Sequence, residues 1–242
     1  FGWSMALLAV AYTLIHVESG LLGPLQGWMA DRYGPRLIIS IGLLMYGIGL
    51  VLLTLVKTLP VYFFAIIIIS VGISLGGYQT LMVSIVSWFK RHRTKAIALT
   101  QLGHSLGGLS VPILAYGLEQ FGWRTIVFAS GFAAIFLGIP LVQNIRHRPE
   151  EKGEVVDGKI TAEHFDDREE KNNEIVSVSW QKAVKTRAFW FVSAGHSIAL
   201  LSVSTVLVHL IPHLTNILGM GLTEAGFVFS TVSISQILGL SC

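Results

Sequence analysis

Apolar residues run through this chain in long uncharged blocks, and the polar residues gather between them. A helix needs about 20 consecutive apolar residues to cross the hydrocarbon core of a bilayer. Residues 37–56 (LIISIGLLMYGIGLVLLTLV) form one such block, and residues 61–89, 96–118 and 125–145 follow. Residues 188–223 are uncharged over 36 positions, more than one span can use. Pro212, with Asn216 and Gly219 after it, predicts that the helix ends near 211 and a loop follows. At the front, 3–28 is apolar apart from Glu18, and a last apolar run begins at 225. The pattern therefore predicts seven spans, at 4–28, 37–56, 61–88, 96–118, 124–145, 188–211 and 222–242.

Charge sharpens this picture. Asp, Glu, Lys and Arg make up 13% of the 242 residues, against roughly 25% in an ordinary soluble domain. Most of these charges crowd into residues 146–187, so the remaining residues have too few to form a water-facing shell. Soluble globular, disordered and disulfide-rich secreted classes are thereby excluded. The one Cys, Cys242, allows no internal disulfide. The first apolar run has neither a basic leading segment nor a small-residue cleavage site, so it is not a signal peptide. The expected class is an all-α polytopic membrane protein. Because the chain opens at Phe1 and stops inside an apolar run, it is expected to be a piece of a longer one.

Lys and Arg concentrate in cytoplasmic loops. Arg32, Arg36, Lys90, Arg91, Arg93, Lys95 and the nine basic residues of 146–187 all fall on one side of the predicted spans, while Lys57 and Arg124 fall on the other. The basic side is expected to be cytoplasmic, which puts residue 1 outside. The six Trp residues lie at or near span ends, as an interfacial aromatic belt requires. Residues 146–187 are nearly neutral and very polar, and read as a cytoplasmic linker with room for one short surface helix. Five spans precede the linker and two follow it.

The most specific motif is Gly27-Trp28-Met29-Ala30-Asp31-Arg32-Tyr33-Gly34-Pro35-Arg36, immediately after the first span. Gly27 is expected to let a neighbouring helix approach closely. Gly34 and Pro35 make a tight turn. Asp31 suits a helix N-terminus or an arginine, and Arg32 and Arg36 hold the loop inside. Polar residues within spans are expensive in lipid and usually face the protein interior. Tyr12, His16, Gly20, Gly23 and Gly27 form one helical stripe, expected to face protein. His16 reads as a cavity or packing residue. Glu18, the only acidic residue deep in a span, reads either as a proton carrier or as a structural hydrogen bond to a neighbouring helix. Tyr78 and Gln79, beside Gly76-Gly77, read as solute contacts or as packing. Gly103 and Gly107 form a GxxxG close-packing pair with His104 between them. His196 sits one turn from Ser193 in the sixth span. His209 and His213 flank Pro212, but with no Cys or carboxylate beside them no metal site is expected.

The Gly27–Arg36 loop resembles the signature between the second and third helices of the major facilitator superfamily of secondary transporters. More narrowly, it is similar to the monocarboxylate-porter and oxalate:formate-antiporter branch. Phe1-Gly2-Trp3-Ser4, Lys90-Arg91-His92-Arg93-Thr94-Lys95-Ala96, Phe121-Gly122-Trp123-Arg124 and His209-Leu210-Ile211-Pro212-His213-Leu214 resemble that branch at its second, fifth, sixth and seventh helices. The resemblance implies a twelve-helix fold in two six-helix halves, of which this chain holds helices two to eight. It implies alternating access by rocking of the halves, with Gly27, Asp31, Arg32, Gly34 and Arg36 as part of a cytoplasmic gate. His16, Glu18, Tyr78, Gln79, His104 and His196 are the candidates for a solute or proton pathway.

The implied function is secondary active transport of a small organic solute, best an organic anion such as a monocarboxylate, with protons coupled by symport or antiport. The partners are the solute, protons and the lipid bilayer of a plasma or inner membrane, with no nucleic acid, no cofactor and no metal. No nucleophile–base pair or phosphate loop supports an enzyme. One departure weighs on the substrate: carboxylate porters often carry an arginine in helix eight, and the matching stretch Ser235-Gln236-Ile237-Leu238-Gly239-Leu240 has no cation. The alternatives are a transporter-like sensor without net flux, or an exporter of a non-carboxylate solute. A retinal-type seven-helix protein needs a lysine in a late span, and the last two spans have none.

Overall fold

A computed structural model describes residues 5–89, 92–145 and 180–241. Among these residues every regular element is helical. In chain order they are α1 (Met5–Tyr33), α2 (Pro35–Thr54), α3 (Leu59–Gly76), α4 (Tyr78–Trp88), α5 (Arg93–Gly108) and α6 (Val111–Ala133). A π-helical turn (Ala134–Gly138) leads into α7 (Ile139–Val142). Then come α8 (Trp180–Ala183), α9 (Arg187–Asn216) and α10 (Leu222–Ser241). The predicted linker lies outside the described residues except for its last part, which holds the four-residue α8.

The breaks between helices have local causes. Gly34 sits at φ 83°, a conformation that side chains other than glycine resist, and Pro35 starts α2 directly after it. Gly122 at φ 77° breaks α6. Without that break, Arg93–Val142 would be a 50-residue run, about 75 Å long at 1.5 Å per residue against a core about 30 Å thick. The π turn precedes Pro140, which has no N–H for the regular ladder. By length and composition, Pro35–Thr54, Leu59–Trp88, Arg93–Val142 and Arg187–Asn216 can cross a membrane. With 29 and 20 residues, α1 and α10 also have the length for it.

Several expected boundaries move: α1 runs on to Tyr33, and the predicted span 96–118 is divided between α5, ending at Gly108, and α6, beginning at Val111. The predicted end near 211 is not found, because α9 continues through Pro212 to Asn216. A proline inside a spanning helix costs only the bond its missing N–H would make, here to the Val208 carbonyl, and the helix resumes beyond it. One turn along, Thr215 Oγ1 donates to the Ile211 carbonyl at 3.0 Å. The predicted span 61–88 is interrupted at Gly77, which is extended (φ −83°, ψ −176°), so α3 and α4 are separate helices.

Lipid gives helices little hydrophobic reason to associate, so close contact rests on small residues. The tightest crossing joins α2 to α3. A β-carbon on Gly42 would collide with the backbone of Gly76, and one on Gly72 with the backbone of Tyr46. Ala11, Ile66 and Ile69 form a core between α1 and α3, walled by Ile15, Tyr46 and Leu50. Farther along, α2 packs on α6 and the π turn, and α10 packs on α5 and α6. By contrast α9 packs on α10 and leaves Phe191, Val192 and Leu201 exposed.

Candidate functional site

The described residues gather polar side chains in a seam between α1 and α3–α4 and at the two ends of the helix bundle. In the seam, Ser70 Oγ donates to Glu18 Oε2 at 2.7 Å and lies 3.5 Å from the Ile15 carbonyl oxygen. Ser70 is fully buried. Glu18 Oε1 is also buried and has no hydrogen-bond partner among the described residues. The carboxyl is therefore anchored by one oxygen while the other is left unsatisfied. Toward the basic end, Gln26 is buried at 4% exposure with Nε2 unpartnered among the described residues. Thr80 and Ser84 on α4 are buried as well.

The predicted candidates separate. Gln79 Oε1 approaches the α1 backbone and would lie 3.9 Å from a β-carbon on Gly23. Tyr78 and Gln79 both stand exposed at the Gly77 break. His196 is exposed on α9 and is not brought to Glu18. The side chains of Tyr12, His16 and His104 lie outside the described residues. A β-carbon on Gly20, Gly27, Gly103 or Gly107 would meet nothing within 4 Å, so these glycines make no close helix contact among the described residues. Spacing placed them on a common stripe but could not say which face of the helix turns to a neighbour. On α5 that face carries Ser105 and Gly108: Ser105 Oγ donates to Gln236 Oε1 at 3.3 Å, and Gly108 is crowded by Ser233 of α10.

At the basic end, Arg36 donates to Gln143 Oε1 through Nε at 2.8 Å and also through Nη2, tying the start of α2 to the chain just after α7. Arg32 lies over the rings of Trp28 and Tyr33, 5.6 and 6.0 Å from their centroids. Arg93 reaches back to the Phe89 and Val86 carbonyls and closes the C-terminal end of α4. Lys90 and Arg91 lie outside the described residues. Asp31 is exposed and, among the described residues, makes neither of the expected contacts. The reason is local: α1 continues to Tyr33, so Asp31 sits in a final helical turn, where the dipole favours cations such as Arg32.

At the opposite end, Arg124 Nε donates to the Thr54 carbonyl at 3.3 Å and the guanidinium lies over Trp123. Glu119 accepts from the Thr223 backbone N–H at 3.1 Å and from its hydroxyl at 2.6 Å. The Thr223 hydroxyl, and then its N–H, hold the Glu119 carboxyl below the ordinary carboxylate range. Sequence reading missed Ser70, Gln143, Glu119 and Thr223. Single polar residues in apolar surroundings were their only signal, and each partner lies 52 to 107 residues away. No group of three or more His, Cys, Asp or Glu among the described residues is arranged to hold a metal ion.

Comparison with known proteins adds to this geometry. The model of the Major Facilitator Superfamily matches residues 1–241. A probable hexose phosphate transport protein of Chlamydia trachomatis is 25% identical over 63% of this chain and 34% of that protein. A probable chloroplastic anion transporter 6 of Arabidopsis thaliana is 22% identical over 94% of this chain and 44% of that protein. The membrane sensor protein UhpC of Escherichia coli is 29% identical over 58% of this chain and 32% of that protein. The chain thus spans between about a third and less than half of the relatives it matches.

Proposed function

The chain belongs to the major facilitator superfamily, and on that premise we propose that it is part of a secondary active transporter moving a small organic anion by alternating access with proton coupling. It is an all-α, multi-pass membrane protein. The observation that carries the proposal is Glu18, a carboxyl within α1 held to Ser70 by one oxygen and, among the described residues, without a partner at the other. Such a group takes up a proton on one side of the membrane and releases it on the other when its surroundings change. The names of two relatives, for hexose phosphate and for anions, support an anionic solute. A monocarboxylate is our choice within that class, from the likeness of the loop motifs. The predicted spans hold no Lys or Arg at depth, so either the opposing charge comes from outside these spans or the solute is not a simple carboxylate. In this reading the basic end is cytoplasmic, Arg36–Gln143 belongs to its gate, and Lys57, Gly122 and Gly219 lie outside.

Uptake into proteoliposomes bearing the full-length protein tests this. We expect a labelled monocarboxylate or sugar phosphate to accumulate under an imposed pH gradient. No flux across a broad anion panel would sink the transporter reading. It would favour the second one, a sensor without net flux, to which the name of the relative UhpC gives support.

A further inference from the structure

The second long helix after the linker, α10, meets α5 and α6 along one seam. At one end of this seam Ser105 bonds Gln236. Next, Gly108 lies so close to Ser233 that a β-carbon there would collide with the Ser233 hydroxyl. Farther along, a β-carbon on Gly226 would come within 3.1 Å of Pro112 Cα. At the far end, three residues before the Gly122 break, Glu119 receives both hydrogen bonds from Thr223.

Thr223 stands in the first turn of α10, where backbone N–H groups have no partner within the helix. Glu119 supplies that partner from another helix. Glu224 of α10 is already used locally, its Oε2 accepting from the Gly221 N–H at 3.1 Å. A carboxylate at a helix N-terminus also gains from the helix dipole. The end of α10 is thus capped by a residue of the opposite half, and the cap breaks if the halves part there. On the elements packed around it, the other titratable groups described at this end are Glu224 of α10, Tyr116 and Arg124 of α6, Lys57 after α2, and His209 and His213 of α9. Arg124 bonds the Thr54 carbonyl. Among the described residues, the Thr223 hydroxyl and N–H lower the Glu119 carboxyl, desolvation opposes them weakly, and the Leu222 backbone adds a little to the lowering.

We propose that Glu119 and Thr223 form an acid-released latch that holds the two halves together at the Gly122 end of the α6–α10 seam. The ionised carboxylate accepts both hydrogen bonds and attracts the helix N-terminus. The protonated carboxyl loses the dipole attraction and weakens both bonds. Because the latched carboxyl titrates below its ordinary range, the latch is complete above the ordinary carboxylate range and is lost as pH falls through the lowered value. Acid on that face therefore favours opening. The proposal rests on alternating access, but its test does not depend on solute flux.

The test uses the full-length protein in proteoliposomes, with its native cysteines replaced and Ser230→Cys introduced. Ser230 is buried and shares a helix face with Gly226 and Ser233. A membrane-impermeant maleimide added outside reports separation of the seam. At about pH 7.5, Glu119→Ala is expected to label about fivefold faster than the parent, and Thr223→Val about twofold faster. Measuring variant and parent together at each pH cancels the intrinsic thiol chemistry, and the ratio is expected to fall toward one in acid. Equal rates for parent and both variants, or a ratio that does not change with pH, would overturn the latch. Should Glu119→Ala fail to fold, Glu119→Gln takes its place, keeping the shape and losing the charge. Altered labelling without solute flux would uphold the latch while removing the transport reading.

Discussion

Glu18 is costly to keep in an apolar helix, and Ser70 offsets only part of that cost. One hydroxyl satisfies Oε2 and nothing described satisfies Oε1. Glu18→Gln preserves the shape but cannot carry a proton. We expect it to cut pH-driven uptake by roughly tenfold or more, while exchange without a pH gradient persists; undiminished pH-driven uptake would remove Glu18 as the carrier. Ser70→Ala leaves the carboxyl without its donor and should cost about 0.6–1.7 kcal/mol of stability, the range for interhelical hydrogen bonds in membranes, readable as an earlier thermal transition in detergent. At this scale the sequence was informative about Glu18, because a lone acid in a long apolar run stands out by itself. It was silent about Ser70, because serines are common in spans and only the fold shows which one meets the carboxyl. Asp31 shows the converse: its motif suggested a partner, while the helix actually continues past it to Tyr33.

Helix contacts here depend on glycines, and the chain holds 25 of them, so the question is which ones touch. Gly42 lies against the backbone of Gly76, which cannot swing aside as a flexible side chain can. Gly103 has open space. Gly42→Ala should therefore destabilise the protein by about 1–3 kcal/mol through overpacking. Gly103→Ala should stay within about 0.5 kcal/mol of the parent. Thermal unfolding of both variants checks the contrast, and equal effects would refute the assigned crossing. Charges that end an apolar block do not by themselves end a helix: α1 runs on through Asp31 and Arg32 to Tyr33, and α6 includes Glu119 and Arg124. Inside the blocks composition does not say whether a weak point breaks the helix: Gly77 does and Pro212 does not.

The two ends of the molecule differ in charge and in what closes them. Arg36–Gln143 ties one end and Glu119–Thr223 the other, and each bond joins residues more than 100 positions apart. If the basic end is cytoplasmic, a single cysteine replacing Lys57 labels from outside intact cells. One replacing Lys185 labels only after permeabilisation. The reverse pattern would overturn the proposed orientation.

Length, charge and the order of apolar blocks were enough for the sequence alone to determine an all-α membrane protein, since a bilayer reads local composition. The motif after α1 carried the family for the same reason: it is contiguous, and its turn at Gly34-Pro35 is built from neighbours in the chain. Only the tertiary structure decided that Gly42 and Gly76 make a crossing while Gly103 and Gly107 do not. It alone paired Ser70 with Glu18 and Thr223 with Glu119. These choices depend on how each helix is rotated about its axis against a distant partner. In lipid, where hydrophobicity does not distinguish one face from another, that rotation is set by close packing and hydrogen bonds between helices.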